Sequence, residues 1–315
     1  MPVAHPVLQI LYAVPSERRL CGHLQFNLLF RWLVGLDANK PVWHPITLTQ
    51  NRERLLTGEV AEALFTEVRR QAGAKNLLSC GGFSVDGTLV EAAASLKSFV
   101  RRGQEEDRPQ GDDPRGGSSS AGRRRDRKLS RNFRGKRRTN ETHVSTTDAE
   151  ALPAKRARGA SRLCYLAHVM TENRCGLIVR ADLSRATGTA EREVALEFMR
   201  RERDETKRGR ITLAADRGYD ARGFVRELRA LGVIPHVARM KKHSAVDGRT
   251  TSWEGYAESQ KKRKLTEETF GRMKTVELLH KLRHRGRAKA RLVFRFTAAC
   301  YNLVRVGNLM PQGGG

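Results

Sequence analysis

Two aspartates stand where the sequence otherwise favours β-strands, although aspartate is depleted inside strands. We predict that Gly81–Thr88 forms a strand ending in an acidic turn at Asp86, and that Ile211–Ala215 forms a short buried strand ending at Asp216. Asp86 could simply form a turn before Gly87, because an aspartate side chain bonds to nearby backbone. Alternatively, each could bind Mg²⁺ or Mn²⁺, which prefer hard carboxylate oxygens.

A third acidic residue, Glu267, lies in a stretch that we predict to be a helix, Lys264–Thr275. Helical spacing puts four residues on one face of that helix: Arg263, Glu267, Gly271 and Lys274. This face carries one carboxylate, two cations and a glycine that leaves room beside the carboxylate. It is either a surface ion pair or a metal-binding glutamate flanked by cations that bind phosphate.

The elements between these acidic residues predict a mixed α/β sheet. A hairpin over residues 164–181 and a helix over residues 189–205 separate the two aspartate-bearing strands. Strand–helix–strand units place their strands in parallel, so the C-terminal ends of those strands share one edge of the sheet. We therefore predict that Asp86, Asp216 and Glu267 meet at one edge. Two divalent cations ~3.5–4 Å apart could stabilise both oxygens of an in-line displacement at phosphorus there.

The charge of the chain indicates its partner. Its 315 residues include 60 Lys and Arg against 34 Asp and Glu, which gives a net charge of +26. Nucleic acid is the commonest partner of so basic a protein, because each neutralised phosphate releases counterions. An anionic membrane surface is the rival, but no apolar run approaches the roughly 20 residues that span a bilayer. Because the sequence has no H-E-x-x-H, G-x-S-x-G or P-loop motif, it indicates no competing catalytic site and does not imply ATP.

The chain divides into two predicted domains. Residues 1–78 are predicted to form a small helical domain that binds DNA or dimerises, and residues 79–308 the α/β domain that carries the carboxylates. Residues 101–161 interrupt the second domain as a basic, disordered insert. The sign and density of its charge favour contacts to phosphate backbone that read no sequence. Its basic clusters are Arg123, Arg124, Arg125, Lys136, Arg137 and Arg138.

Taken in order, these motifs resemble the DDE transposases of bacterial insertion sequences, in the group usually numbered five. The resemblance covers most of the chain, because the N-terminal stretch from Pro15 to Leu55 is similar to the helical domain of that family. The first two catalytic motifs of the family are similar to Val85-Asp86-Gly87-Thr88 and Ala215-Asp216-Arg217-Gly218-Tyr219. The third matches Glu267 with Lys274, six residues intervening, and this spacing favours Glu267 over Glu268.

The resemblance implies an RNase H-like fold, a DNA transposase activity and two Mg²⁺ (or Mn²⁺) ions. Water activated by metal would attack a phosphodiester at the end of the element, and the freed 3′-hydroxyl would then attack target DNA. Asp86 and Asp216 would bind both metals, and Glu267 would complete the second site. Arg263 and Lys274 would hold DNA phosphate near the scissile bond. The remaining predicted DNA contacts are Lys264, Arg217 and the basic clusters of the insert.

The resemblance also sets expectations for partners and place. The partners would be double-stranded DNA, namely the inverted repeats of the element and the target. The protein would act as a homo-oligomer on that DNA, in the cytoplasm of a bacterium and associated with the nucleoid.

Two departures from the family pattern leave alternatives open. Gln260 stands where the third motif has a tyrosine, and relatives usually carry a longer segment before Pro15. A shortened start would make the chain a truncated, poorly active copy or an inactive DNA-binding remnant. A third possibility is an RNase H-like nuclease or resolvase, which would cut DNA without joining it and would carry the same three carboxylates.

Overall fold

The computed structural model describes most of the chain. The described residues are 4–55, 59–79, 81–102, 132–133, 136–137, 139–155, 160–205, 209–275 and 279–310. Arg123, Arg124, Arg125 and Arg138 of the predicted basic clusters lie outside them.

The described N-terminal residues are helical, as the sequence predicts. The helices are α1 (Ala4–Leu11), α2 (Glu17–Phe26), α3 (Leu28–Val34), α4 (Pro45–Leu55) and α5 (Val60–Ala74). Ser16 caps α2, because its side chain accepts a hydrogen bond from the backbone N–H of Arg19 at 3.3 Å. Gly35 ends α3 with a positive φ of 71°, a conformation that glycine adopts without strain. Leu8, Leu20 and other apolar residues of α1–α4 form a separate small core.

A mixed sheet follows these helices. Its strands are β1 (Gly82–Glu91), β6 (Leu152–Ala154), β7 (Arg162–Glu172), β8 (Ile178–Arg185), β9 (Ile211–Ala215) and β10 (Val233–Val237). The strand order is β10-β9-β1-β7-β6, and β8 also pairs with β7. β1 runs parallel to β9 and antiparallel to β7, and β9 runs parallel to β10. The predicted mixed α/β fold with parallel aspartate-bearing strands is therefore confirmed.

Helices cover both faces of the sheet. The remaining helices are α6 (Ala190–Glu205), α7 (Arg222–Ala230), α8 (Gly248–Thr251), α9 (Glu254–Lys262), α10 (Lys264–Thr275) and α11 (Arg287–Leu309). α6 and α7 pack on the face that presents Phe83 and Val85. α10 and α11 pack on the other face, against Val90 and Val169. None of the described helices has the length and apolarity that a membrane span requires.

Two expectations about local structure are wrong. Asp86 does not end its strand: β1 continues to Glu91, because β7 pairs with it from Phe83 to Glu91. This pairing outweighs the local preference of aspartate for turns. The basic run from Lys261 to Lys264, whose charge predicts a loop before the Lys264–Thr275 helix, is mostly helical, since α9 ends at Lys262 and α10 begins at Lys264.

Part of the predicted insert is folded. Within residues 101–161, the stretch 139–155 is built into the fold and supplies β6 to the main sheet. Asp148 in this stretch is buried and accepts a hydrogen bond from the hydroxyl of Tyr165 at 2.7 Å. The short strands of this region are β2 (Phe99–Arg101), β3 (Asn132–Phe133), β4 (Lys136–Arg137) and β5 (His143–Ser145). Two of the predicted DNA contacts, Lys136 and Arg137, therefore lie on a strand that pairs with β3.

Candidate active site

Asp86 and Asp216 lie just beyond the point where the parallel pairing of β1 with β9 ends, hereafter the step between β1 and β9. The parallel pairing of β1 with β9 ends at Ser84 opposite Ala214. Two residues further along each chain lie Asp86 and Asp216, so both follow the point where β1 loses its parallel neighbour. The backbone N–H of Gly87 donates to Asp86 Oδ1 at 2.8 Å. The N–H of Gly218 donates to Asp216 Oδ1, also at 2.8 Å.

The pKa of Asp86 reflects its burial and its charged neighbours. Burial raises the pKa of Asp86 to about 6, although its hydrogen bond from Gly87 opposes that rise. The negative charges of Asp216 and Glu191 contribute to this rise, and the positive charge of Arg263 opposes it. A carboxyl group behaves in this way when it is desolvated beside like charges.

α10 brings the third predicted carboxylate to the same side of the sheet. Lys274 near its end donates to the hydroxyl of Thr88, two residues beyond Asp86. Glu267 itself is 54% exposed and accepts a hydrogen bond from Arg263 Nη1 at 2.9 Å. The structure therefore shows the predicted ion pair, and the positive charge of Arg263 in that pair also lowers the pKa of Asp86. The metal-binding role of Glu267 stays a prediction.

The donor set fits a divalent cation, although the carboxylates do not yet converge on one point. In the described part of the chain, no three His, Cys, Asp or Glu side chains are close enough to hold a metal ion together. Asp86 and Asp216 nonetheless offer hard oxygens, and no Lys or Arg among the described residues pairs with either. A divalent cation would offset their mutual repulsion. Glu267 could join only after it leaves Arg263.

The sequence analysis missed two residues at this step. Glu191, in the first turn of α6, places its Oε1 so close to Gly87 that an added Cβ there would lie 2.8 Å from it. Tyr219 is 1% exposed, and its hydroxyl has no hydrogen-bond partner among the described residues. Tyr219 belongs to the second quoted motif, so the motif itself was a signal. An acidic residue in a first helical turn is ordinary, so the sequence carried no comparable signal for Glu191.

The remaining predicted residues lie around this step. Arg217 is exposed in the 3₁₀ turn that directly follows Asp216, and Lys264 is exposed at the start of α10. Gln260, which departs from the family pattern, donates through its side-chain amide to the backbone carbonyl of His236 at the end of β10. This contact holds α9 against the sheet, so Gln260 has a structural role.

Comparisons with known protein families give a clear result. The model of a family described as "Transposase DDE domain" matches residues 82–303, which contain all three predicted carboxylates. A second model, described as "Transposase domain (DUF772)", matches residues 3–54. A search of curated proteins finds no match.

Comparisons with solved structures find distant likenesses. The Mos1 transposase paired-end complex with the left transposon end is 8% identical, with 84% of this chain and 78% of that chain covered and a TM-score of 0.24. The Mos1 strand transfer complex is 13% identical, with 91% and 78% covered and a TM-score of 0.23. TM-scores this low support no conclusion.

Proposed function

The chain belongs to the transposase DDE domain family and is a DNA transposase, and we propose that Asp86, Asp216 and Glu267 form its reaction centre. The substrates are double-stranded DNA: the inverted repeats at the ends of a mobile element, and the target. The bacterial cytoplasm, in association with the nucleoid, is the proposed place of action, which the resemblance to bacterial insertion sequences supports.

The observation that carries this proposal is the pair of aspartates at the step between β1 and β9. Both carboxylates lie at the open end of a parallel strand pair, and each is oriented by a backbone N–H. They have no cationic side chain as a partner among the described residues, in a chain with a net charge of +26. Such a pair is costly unless a cation from outside binds to it.

The resemblance to the family supports the following roles of the residues. Asp86 and Asp216 would hold two Mg²⁺ or Mn²⁺ ions, and Glu267 would complete the second position. When bound, such ions stabilise negative charge on the attacking and leaving oxygens of a phosphodiester. The backbone N–H groups of Gly87 and Gly218 keep the aspartates oriented for this task.

Arg263 would change partners in the reaction. It now donates to Glu267, and its Nε is buried without a hydrogen-bond partner among the described residues. A guanidinium presents donors in a fork that suits phosphate. We infer that a DNA phosphate takes Arg263 from Glu267, which frees Glu267 for the cation. Lys274, held at Thr88, would bind a neighbouring phosphate.

Incubation with labelled element ends, a target plasmid and Mg²⁺ tests the activity. We expect both cut ends and joined products from the unaltered chain, and neither from Asp86→Asn or Glu267→Gln, which should still bind DNA. Glu268→Gln is the matched control, because Glu268 is the adjacent exposed carboxylate. Cutting without joining would indicate a nuclease or resolvase. Unchanged behaviour of Asp86→Asn would indicate a DNA-binding remnant.

The helical region up to residue 78 is proposed to bind DNA and to dimerise, whereas residues 79–308 form the catalytic domain. Phe26 and Trp32 are 85% and 75% exposed, and Leu28 and Leu29 are exposed beside them. Arg31 is the one charged residue of α3, but it is buried and donates to backbone carbonyls. This apolar face is roughly 600 Å², against the ~800 Å² that each partner gives to a standard interface.

A second copy of the chain is the proposed occupant of this face. Two molecules that each carry +26 charges repel one another. An uncharged, apolar face is therefore the surface through which they can best approach. Light scattering of the complex with element-end DNA should show a dimer that Trp32→Ser weakens and Trp253→Ser, which removes another exposed tryptophan, does not. A monomeric complex of the unaltered chain would refute this assignment.

A further inference from the structure

We propose that Glu191 is a further acidic residue of the cation site, which it approaches from the face of the sheet opposite to Glu267, with the Tyr219 hydroxyl as a hydrogen-bond donor inside the same site. The proposal rests on the proposed function, because it assumes that a divalent cation binds between Asp86 and Asp216.

Side chains from the two faces of the sheet can approach each other at this step because β9 ends there and no longer pairs with β1. Successive residues of a strand point to opposite faces, so Asp86 and Gly87 face opposite ways. Asp86 shares its face with Thr88, which contacts α10 through Lys274. Gly87 faces α6, which presents Glu191. Since β9 ends before this level, no strand separates the carboxylates on that side of β1.

Gly87 makes the approach of Glu191 possible. A Cβ at position 87 would lie 2.8 Å from Glu191 Oε1 and 3.0 Å from its Cγ. Gly87 does not have a positive φ, so its backbone conformation does not require a glycine at this position. The missing side chain provides space for a carboxylate next to Asp86.

Glu191 has no cation of its own. Among the described residues, no ion pair or hydrogen bond to its carboxylate is found, although the chain contains 60 Lys and Arg. Its neighbour Arg192 donates instead to the backbone carbonyl of Gly218, at 3.0 Å. Burial raises the pKa of Glu191, and the charge of Asp216 raises it further. The carboxylate of Glu191 therefore lies near Asp216 without a Lys or Arg bonded to it, although the charge of Arg192 opposes the rise of its pKa.

Tyr219 supplies an independent sign that a ligand belongs here. The hydroxyl of the buried Tyr165 donates to Asp148 at 2.7 Å, as buried hydroxyls usually do. The hydroxyl of Tyr219 has no such partner in the described part of the chain, although the residue is 1% exposed. Burial raises its pKa, the charges of Glu191, Asp86 and Asp216 raise it as well, and the charge of Arg192 lowers it. A hydrated cation among these carboxylates would give the hydroxyl a water oxygen to bond.

Calorimetric titration of the full chain with Mn²⁺, without DNA, tests the proposal. We expect Glu191→Gln to weaken Mn²⁺ binding about tenfold or more, because it removes one full charge near the ion. Glu191→Asp, which keeps the charge, should restore part of the affinity. Glu193→Gln is the matched control: Glu193 lies in the same helical turn but is exposed, and its affinity should stay within about twofold of the unaltered chain.

Thermal unfolding without metal gives a second readout. If Glu191 serves a cation, Glu191→Gln relieves repulsion and raises the melting temperature of the metal-free protein, while the added stabilisation by Mn²⁺ shrinks. Wild-type Mn²⁺ affinity in Glu191→Gln, or a lowered melting temperature with undiminished stabilisation by Mn²⁺, would overturn the proposal and assign Glu191 a structural role. Asp86→Asn decides the proposed function separately: Mn²⁺ affinity unchanged in that variant would refute the site itself.

Discussion

The two ends of α6 carry glutamates that differ in their partners: one is bonded to arginines and the other is not. Glu202 near its C-terminus is 4% exposed and is held by two arginines: Arg180 donates at 3.0 and 3.1 Å, and Arg69 donates to both oxygens at 3.1 Å. Glu191 in its first turn is partly buried beside Asp86 and Asp216, and no arginine or lysine of the described chain pairs with it.

The difference is whether the fold supplies a cationic partner for a carboxylate that is removed from water. A buried charge is tolerated when the fold provides its partner, because the pair then offsets the loss of hydration. Arg69 and Arg180 are the partners of Glu202, whereas no Lys or Arg of the described residues is bonded to the carboxylates at the step between β1 and β9. This step is therefore where we propose that a cation from solution binds.

The largest expected effect is the loss of activity on removal of a site carboxylate. Asp216→Asn should slow DNA cleavage about 1,000-fold or more, because metal ions contribute several kcal/mol to stabilising the charge that develops on the reacting oxygens. The variant should unfold at the same denaturant concentration as the unaltered chain, or a higher one. Single-turnover cleavage and urea unfolding measure the two quantities. A variant that keeps its activity would refute the role of Asp216.

Removal of Glu202 should have the reverse effect. Glu202→Ala leaves Arg69 and Arg180 without their shared partner, so we expect a loss of about 3 kcal/mol in the free energy of unfolding. Cleavage per folded molecule should not change. Glu205→Ala is the control: Glu205 pairs with the same two arginines but is 51% exposed, and its removal should cost less than about 1 kcal/mol. Equal losses in the free energy of unfolding for Glu202→Ala and Glu205→Ala would contradict the structural role assigned to Glu202.

His168 shows a third way for the fold to accommodate a buried ionisable group, which is to keep it neutral. It lies opposite Gly87 on β7, and burial lowers its pKa from 6.5 to about 4. The unfolded chain therefore binds more protons between these values, so stability is complete above pH 6.5 and falls as the pH drops towards 4. Between pH 7 and pH 5 we expect a loss of about 2 kcal/mol that is absent in His168→Gln. Urea unfolding of both proteins at the two pH values measures it.

The smallest effect concerns the cation that faces the site across Thr88. Lys274→Gln should weaken DNA binding a few-fold and reduce the slope of log affinity against log salt by about 1, because one phosphate contact is lost. Thr88→Val keeps the charge and removes only the hydroxyl that holds the lysine. Its salt slope should equal that of the unaltered chain. An unchanged slope in Lys274→Gln would exclude Lys274 from DNA contact.

Sequence reasoning located Asp86 and Asp216 because their position depends on a simple rule. Aspartates near the ends of buried runs, with a helix between the strands, are brought to one edge by the handedness of parallel connections. The length of β1 was not predictable, because β7 extends it from elsewhere in the chain. The family match over residues 82–303 confirms the resemblance that these motifs indicated.

Other parts of the site depend on packing that the sequence does not encode locally. Glu191 and Glu202 look alike as acidic residues of one amphipathic helix, and only the tertiary structure shows which meets arginines. The partner of Glu267 could not be predicted from the sequence either, because helical spacing is equally compatible with an ion pair and with a metal ligand. The structure shows the ion pair with Arg263, and the metal role stays a prediction.

Cleavage of the polypeptide by Fe²⁺ in place of Mg²⁺ tests the central claim most directly. Peroxide added to the Fe²⁺-loaded protein generates hydroxyl radicals at the bound ion, and these cut the nearest backbone. We predict fragments that end near Asp86, Asp216 and Glu191, and their disappearance in the double variant Asp86→Asn, Asp216→Asn. Cuts elsewhere in the chain, or the same cuts in the double variant, would contradict a cation site at the step between β1 and β9.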